Sequence, residues 1–424
     1  MLDKEWLDLY NIENDIYEEV KEIDKSIKKD FYLLDEIEEH NTFKVLNAFH
    51  EEKLSSTDFK GTTGYGYGDD GRDKAERIFA RIFKSEDALV RPSIASGTHA
   101  LALCLNGILL PGDHLLSISG TPYDTMQQVI GITGDEPCTL IEQGIEYSEV
   151  PLNGNKLQGD KILKEVRTNT KLLLIQRSTG YSLRSAISLE DMEKIIGIIK
   201  EKYPNIIIMV DNCYGEFTQK KEPIEIGADL CAGSLIKNLS GGIAVSGGYI
   251  VSSHKIIQRI ANRLTAPGLG KEVGLSFNTT RLTLQGLYFA PKVVMEAMKG
   301  SKLFALAFHK KGYKTIPDIH EERYDIIQAI ILKEPEKVIQ FCQSIQKAAS
   351  VDSYVSPQPW PMPGYENEII MASGSFIDGS SIELSADGPL REPYCVYYQG
   401  GLSYYQCKLA LMMVLQNLKN NNLL

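Results

Sequence analysis

Apolar residues recur at three- and four-residue steps early in the chain, at Ile12, Ile16, Val20 and Ile23, among acidic and basic neighbours. That spacing lays an apolar stripe along a helix and predicts helices over roughly 1–53. The stretch 55–73, SSTDFKGTTGYGYGDDGRD, breaks the pattern with Gly, Ser, Thr and Asp and reads as a loop. From 74 to about 260, helical and strand-like segments alternate. Helices are expected at 74–84, 96–110, 123–132 and 189–201. Strands are expected at 88–95, 114–119, 171–176, 206–211, 229–232 and 247–251. The runs KLLLI and NIIIMV are apolar without alternation, as in strands covered on both faces. This predicts an α/β fold around a mostly parallel central sheet. After about 285 the rhythm changes. Helices are expected near 318–333 and 335–349, extended segments at 367–376 and 381–385, and a closing helix over 403–418. The predicted organisation is an N-terminal helical segment (1–60), a large domain (61–285) and a smaller C-terminal α+β domain (286–424).

The chain has 424 residues, of which 43% are apolar and 24% charged. That length suits two or three structural units with a sizeable core. The net charge of −11 argues against nucleic acid or an anionic membrane as the main partner. It does not argue against a local site for an anionic cofactor. No apolar run reaches the roughly 20 residues of a membrane helix. Residues Met1 to Val20 are too acidic for a signal peptide. Seven cysteines, at 104, 138, 213, 231, 342, 395 and 407, are scattered and form no CxxC pair. They read as reduced thiols of a cytoplasmic protein rather than a disulfide or metal framework. The histidines do not cluster at metal-ligand spacing, so no metal is expected.

Three local features carry candidate chemistry. The strand-like NIIIMVD ends on Asp211, and ligands of open α/β sheets gather beyond the carboxyl ends of strands. An Asp there also serves as a cap or turn residue. Next, GADLCAGSLIKNLSGGIAVSGGYI sets Lys237 among apolar residues and glycines, with Ser234 three residues before it. Desolvation in such a setting lowers a lysine pKa and frees its amine as a nucleophile. A surface lysine before a flexible loop would look alike. Last, VRPSIA runs into Ser96, Gly97 and Thr98 and then an apolar helix. A capped helix start with an adjacent glycine is a natural phosphate site, although capping alone would explain it. This segment carries neither GxGxxG nor GxxxxGK[ST], which disfavours a dinucleotide or a Walker-type triphosphate there. Together the three follow the linear order of a fold type I pyridoxal-phosphate enzyme. Lys237 would bind the cofactor carbonyl, Asp211 would pair with the ring nitrogen, and Ser96, Gly97 and Thr98 would hold the phosphate, with Ser234 beside the lysine. Tyr123, after the turn Gly120-Thr121-Pro122, is placed to stack on the ring and joins Lys237 and Asp211 as a catalytic candidate.

The motifs SGTHAL, GTPYDT, DNCYGEF and GADLCAGSLIKNLSGGIAVSGGYI resemble the Cys/Met-metabolism pyridoxal-phosphate family, which includes cystathionine lyases and methionine gamma-lyase. With TGYGYGDDGRD, QRSTGYS and SLIKN, the chain is most similar to the branch known as aluminium resistance or methionine gamma-lyase-like proteins. The resemblance covers about residues 10 to 420. It implies fold type I, pyridoxal 5'-phosphate as cofactor, and a homotetramer built from dimers with shared active sites. In the wider family a tyrosine of the neighbouring subunit binds the phosphate. GTTGYGYGDDGR occupies that region, which makes Tyr65 or Tyr67 the candidate, with Arg72 beside them. Arg177, in QRSTGY, falls where the family contacts the cofactor's phenolic oxygen or the substrate. Arg391, in SADGPLREPY, matches the arginine expected to clamp the substrate carboxylate, a task suited to a guanidinium fork. The implied activity is a carbon–sulfur lyase acting on a cystathionine-, methionine- or cysteine-type amino acid by β- or γ-elimination. Two other readings stay open: a different amino-acid reaction such as transamination or racemisation, and a non-catalytic protein of this fold tied to metal tolerance. Ser234-Leu235-Ile236 replaces the small-residue and threonine arrangement usual before the lysine, and the Asn-Pro-Thr element common in the family is absent.

Overall fold

The computed structural model describes residues 4–362 and 367–424. Helices α1 (Lys4–Leu9), α2 (Asn14–Ile27) and α3 (Phe31–Glu51) open the chain, and α4 (Asp70–Phe83) follows the glycine-rich loop. Then come β1 (Asp87–Arg91), α5 (Gly97–Ile108), β2 (His114–Ser117), α6 (Asp124–Ile130), β3 (Glu146–Glu149), α7 (Gly159–Glu165), β4 (Thr170–Gln176), α8 (Leu189–Lys202), β5 (Ile207–Asp211), β6 (Leu230–Ser234), β7 (Gly248–Ser252) and α9 (His254–Leu264). Strands β1 to β7 form one sheet in the order β1-β7-β6-β5-β4-β2-β3. The β3-β2-β4-β5-β6 run is parallel, and β7 is antiparallel to both β6 and β1. The sheet is covered on both faces, which explains the unbroken apolar runs. In β4, Leu172 and Leu174 join the cluster containing Leu101 and Leu105 of α5, while Leu173 and Ile175 join the cluster containing Met192, Ile196 and Ile199 of α8. Neighbouring β5 divides likewise, Met209 to the first cluster and Ile208 and Val210 to the second.

The rest of the chain forms α10 (Thr280–Lys310), β8 (Lys314–Ile316), β9 (Ile327–Ile331), α11 (Pro335–Ala348), β10 (Ile369–Ala372), β11 (Ser385–Pro389), β12 (Cys395–Gln399) and α12 (Tyr404–Asn420). The second sheet is wholly antiparallel, in the order β10-β11-β12-β9-β8. The helix expected near 318–333 is not formed. Its apolar core, IQAII, is β9, buried along its length between β8 and β12. A short apolar run does not separate a buried strand from a buried helix, and here the flanking strands decide. The lone polar residue in it, Gln328, is satisfied sideways: Nε2 donates to the Pro317 carbonyl at 3.0 Å and Oε1 accepts from Arg323 at 2.8 Å.

The chain divides into two compact units. One comprises His40–Gly180 and Ala186–Ala290; the other comprises the chain to Glu39, Tyr181–Ser185 and Pro291–Leu424. The structure therefore departs from the expected separate segment 1–60. The apolar stripe of α2 (Ile16, Val20, Ile23) belongs to the core of the second unit, with Phe304, Phe341 and Leu411. Residues 40–60 belong to the first unit.

Candidate active site

Within the larger unit, the parallel strands β5 and β6 carry Asp211 and Ser234 at their carboxyl ends, with Asp211 in register with Ala232, two residues before Ser234. Asp211 and Ser234 are buried, at 7% and 1% exposure. The N-terminus of α5 packs directly against them: a Cβ on Gly97 would lie 3.2 Å from Cys213 Sγ and 3.3 Å from Ser234 Cβ. Ser96 caps this helix, its Oγ accepting from the His99 amide at 3.0 Å. The amides of Gly97 and Thr98, in the first turn, have no intrahelical acceptor. Thr98 Oγ1 lies 2.9 Å from Thr125 Oγ1 on α6, which ties the helix start to the segment carrying Tyr123. The Tyr123 amide donates to Gln176 Oε1 at 2.6 Å, at the end of β4. Stretches far apart in sequence thus converge at the carboxyl end of the sheet, and with them the amides of a helix start, a carboxyl and an amine.

Lys237 sits half-buried in the turn after β6, its Nζ 4.2 Å from the centre of the Tyr214 ring. Its environment reverses the expected pKa direction. Burial pushes the ammonium down, but Cys213, Tyr214, Asp211 and Glu216 outweigh it and hold the lysine above its ordinary range. Asp211 is pushed up by burial; the Lys237 charge and the Cys213 amide, 3.1 Å from Oδ1, pull it back.

Two arginines do other work than the resemblance implies. Arg177 is fully buried, and its Nη atoms donate to Asn212 Oδ1 (2.8 Å), the Gly215 carbonyl (2.7 Å), Thr218 Oγ1 (3.2 Å) and Gln219 Oε1 (2.9 Å). It holds the loop after β5 from behind instead of presenting a free fork to a ligand. Arg72 is also buried and binds the carbonyls of Gly66 (2.8 Å) and Gly274 (3.0 Å) and the Asp73 carboxylate (2.8 Å). It braces the loop of Tyr65 and Tyr67. Both tyrosines are exposed, at 77% and 61%, with ring centroids 6.0 Å apart. Arg391 lies in the smaller unit and lines a cavity of about 210 Å³ with Tyr181, Leu183, Pro389, Cys395 and Tyr397. Among the described residues its guanidinium makes no ion pair.

Sequence reasoning missed the layer beneath the site. Asn212, Glu216, Glu222, Asn238 and Tyr249 are all fully buried and hydrogen-bonded to one another. The one signal was an asparagine directly after each of Asp211 and Lys237. Tyr249 gave none, since it lies inside an apolar strand.

A mostly parallel sheet with helices on both faces, joined to a smaller antiparallel domain, is the fold type I architecture of pyridoxal-phosphate-dependent enzymes. The chain belongs to the methionine gamma-lyase family, whose model matches residues 16–419. It is similar to the crystal structure of a carbon-sulfur lyase involved in aluminum resistance from Clostridium novyi NT, with 44% identity, 98% of this chain and 99% of that chain covered, and a TM-score of 0.93. It is also similar to a candidate cystathionine beta-lyase involved in aluminum resistance from Clostridium acetobutylicum, with 42% identity, 99% and 100% coverage, and a TM-score of 0.95. An uncharacterized protein of Bacillus subtilis, YnbB, is 44% identical over 393 residues, 92% of this chain and 93% of that one.

Proposed function

We propose that this chain is a pyridoxal-phosphate-dependent carbon–sulfur lyase acting on a sulfur-containing amino acid. The observation that carries the reading is the packing of the α5 N-terminus against the ends of β5 and β6, which gathers Gly97, Asp211, Ser234 and the Lys237 turn. The residues fit the cofactor on chemistry. The Gly97 and Thr98 amides and the Thr98 hydroxyl suit a phosphate. Asp211, buried and raised, lacks a full counter-charge, which a protonated ring nitrogen would supply. Tyr123 offers an aromatic face, held by its bond to Gln176. Bound there, the cofactor would supply an electron-withdrawing ring that stabilises negative charge at the substrate Cα.

Lys237 would anchor the cofactor carbonyl, and its amine, once displaced by the substrate amine, would take up the Cα proton (and, for loss from Cγ, a Cβ proton as well) and pass a proton to the departing sulfur. Asp211 would hold a proton at the ring nitrogen. Arg391, exposed and without an ion pair among the described residues, suits a substrate carboxylate. Sulfur leaves from Cβ or Cγ, and the relatives named above favour this outcome over transamination or racemisation.

We further propose a cytoplasmic homotetramer. Tyr65, Tyr67 and Phe277 stand 77%, 61% and 64% exposed on the larger unit, which suits a subunit contact. Six of the seven cysteines are buried, and all seven are free. Among the described residues no helix is long and apolar enough to cross a membrane.

The purified protein should bind pyridoxal phosphate with a visible absorption band and release thiol or sulfide from at least one of cysteine, cystathionine and methionine. Lys237→Ala should abolish the turnover while leaving the fold intact. Keto acid formed without thiol, or full lyase activity in Lys237→Ala, would refute the reading.

A further inference from the structure

The asparagines that follow Asp211 and Lys237 both turn inward, and each is fully buried. Asn212 Oδ1 accepts from Arg177 at 2.8 Å, and its Nδ2 donates to Glu222 Oε2 at 3.0 Å and reaches the Tyr249 hydroxyl at 3.5 Å. The Tyr249 hydroxyl donates to Glu216 Oε1 at 2.9 Å. Asn238 Nδ2 donates to the Glu216 main-chain carbonyl at 2.9 Å. One hydrogen-bonded path therefore runs under the sheet edge from the residue after the aspartate to the residue after the lysine. Gly233 makes room for it: a Cβ there would lie 2.7 Å from Glu216 Oε1 and 2.8 Å from Tyr249 Cε1.

Glu216 is where this path meets the lysine turn. Its Oε2 is buried with no hydrogen-bond partner, and so is Asn238 Oδ1. A carboxylate with an orphaned oxygen in a dry site is costly, whereas a carboxylic acid places a proton on it. Titratable groups face Glu216 from several elements: Tyr249 on β7, Glu222 and Cys213 in the loops after β5, Cys231 on β6, and Lys237. Burial pushes Glu216 up to about 8, the Glu222 charge adds to this, and Tyr249 and Lys237 pull back.

We propose that Glu216 is a positioning residue for Lys237, one that ties the lysine turn to β7 and presents the amine with a negative charge only when it has released its own proton. This rests on the reading of Lys237 as the reactive amine.

The test uses the full chain freed of bound carbonyl compounds with hydroxylamine. Acetylation of Lys237 by acetic anhydride is timed by peptide mass spectrometry in wild type and Glu216→Gln. Glutamine keeps the volume and the acceptor for Tyr249 but cannot ionise. At about pH 9 the variant should react about tenfold faster, the effect of one pKa unit. At about pH 6, where wild-type Glu216 is protonated, the two rates should match. A ratio that is the same at both pH values, whether near one or not, overturns the proposal, because a purely structural disturbance would not follow the Glu216 proton. Should Glu216→Gln not fold, Tyr249→Phe removes the donor that favours ionised Glu216; it should speed acetylation at about pH 9 and not at about pH 6, and equal ratios there overturn the proposal. Pyridoxal phosphate is added to a separate, unacetylated portion of the same wild-type preparation after the hydroxylamine is removed. No visible band would refute the cofactor reading, while the acetylation ratio would still decide the role of Glu216.

Discussion

Glu216 binds its proton far more tightly than an exposed glutamate, at about 8 against an ordinary 4.5, because burial penalises its charge. The folded chain therefore keeps a proton that the unfolded chain releases between those values. The stability tied to that proton is fully present below about 4.5 and is lost as pH rises through about 8. Glu222, also raised by burial, acts in the same direction. Replacing Glu216 by Gln removes its share. The urea-unfolding midpoint of wild type should fall more steeply from about pH 5 to about pH 9 than that of Glu216→Gln, and parallel falls would show that the carboxyl is not held neutral. Lys237 carries the opposite lesson. Its candidacy as the reactive amine was legible, because Ser234, the flanking apolar residues and the glycines are all local. Its basicity was not, because Asp211, Cys213, Tyr214 and Glu216 reach it only after β5 and β6 pair. The surroundings of Arg177 and Arg72 were hidden for a related reason. Sequence marks a guanidinium, but only the folded loops show that the Arg177 Nη atoms and Arg72 Nε and Nη1 already bind oxygens of the chain.

At the level of elements, the site depends on how closely α5 approaches the sheet. Gly97 allows that approach, and Ser96 caps the same helix, so the two can be separated experimentally. In Gly97→Val the branched side chain would press on Cys213 and Ser234, already 3.2 and 3.3 Å from a single Cβ, and would drive the helix start away. Cofactor affinity should fall more than about tenfold, with about 1–3 kcal/mol of stability lost to overpacking. Ser96→Ala removes the cap and should cost about 1 kcal/mol with a much smaller loss of affinity. Affinity by absorption titration and stability by urea unfolding give both numbers, and equal affinity losses would mean that Gly97 has no special part in the cradle. The elements of this half were legible in the chain because apolar runs and helical periods alternate with clear turn residues. The edge strand β3 was not, since EYSE carries little apolar signal and is only half-buried. In the other unit the expectation failed at β9; the 31-residue α10, whose residues up to Ala290 belong to the larger unit, was not foreseen either. Gly286 and Pro291 interrupt α10's pattern. Yet Gly286 is required where α10 passes the turn after Lys237, since a Cβ would come within 2.2 Å of the Ser240 carbonyl oxygen. Local propensity yields there to packing.

The single chain leaves Tyr65 and Tyr67 exposed on a loop that is far from loose. Arg72 grips the Gly66 and Gly274 carbonyls, the Gly274 amide returns to the Tyr65 carbonyl at 2.9 Å, and Asp69 accepts from Ser276 and Thr62 while capping α4. Aromatic residues held rigidly toward solvent cost a monomer solubility and give a partner a preformed surface. Phe277, Leu269 and Tyr288 on the same unit are exposed as well, at 64%, 43% and 43%. If one tyrosine completes the neighbour's phosphate site, complementation should follow. Lys237→Ala subunits, inactive alone, and Tyr67→Phe subunits, weakly active alone, are dissociated, mixed in equal amounts and reassociated. Half of the resulting dimers pair unlike subunits, and in each of these one site carries both defects and the other neither. About a quarter of all sites should then be intact, as two-fold symmetry requires. Repeating the mixture with Tyr65→Phe shows which ring crosses. If both tyrosines serve the site of their own subunit, each mixture will show only the mean of its parents, and the shared-site reading fails.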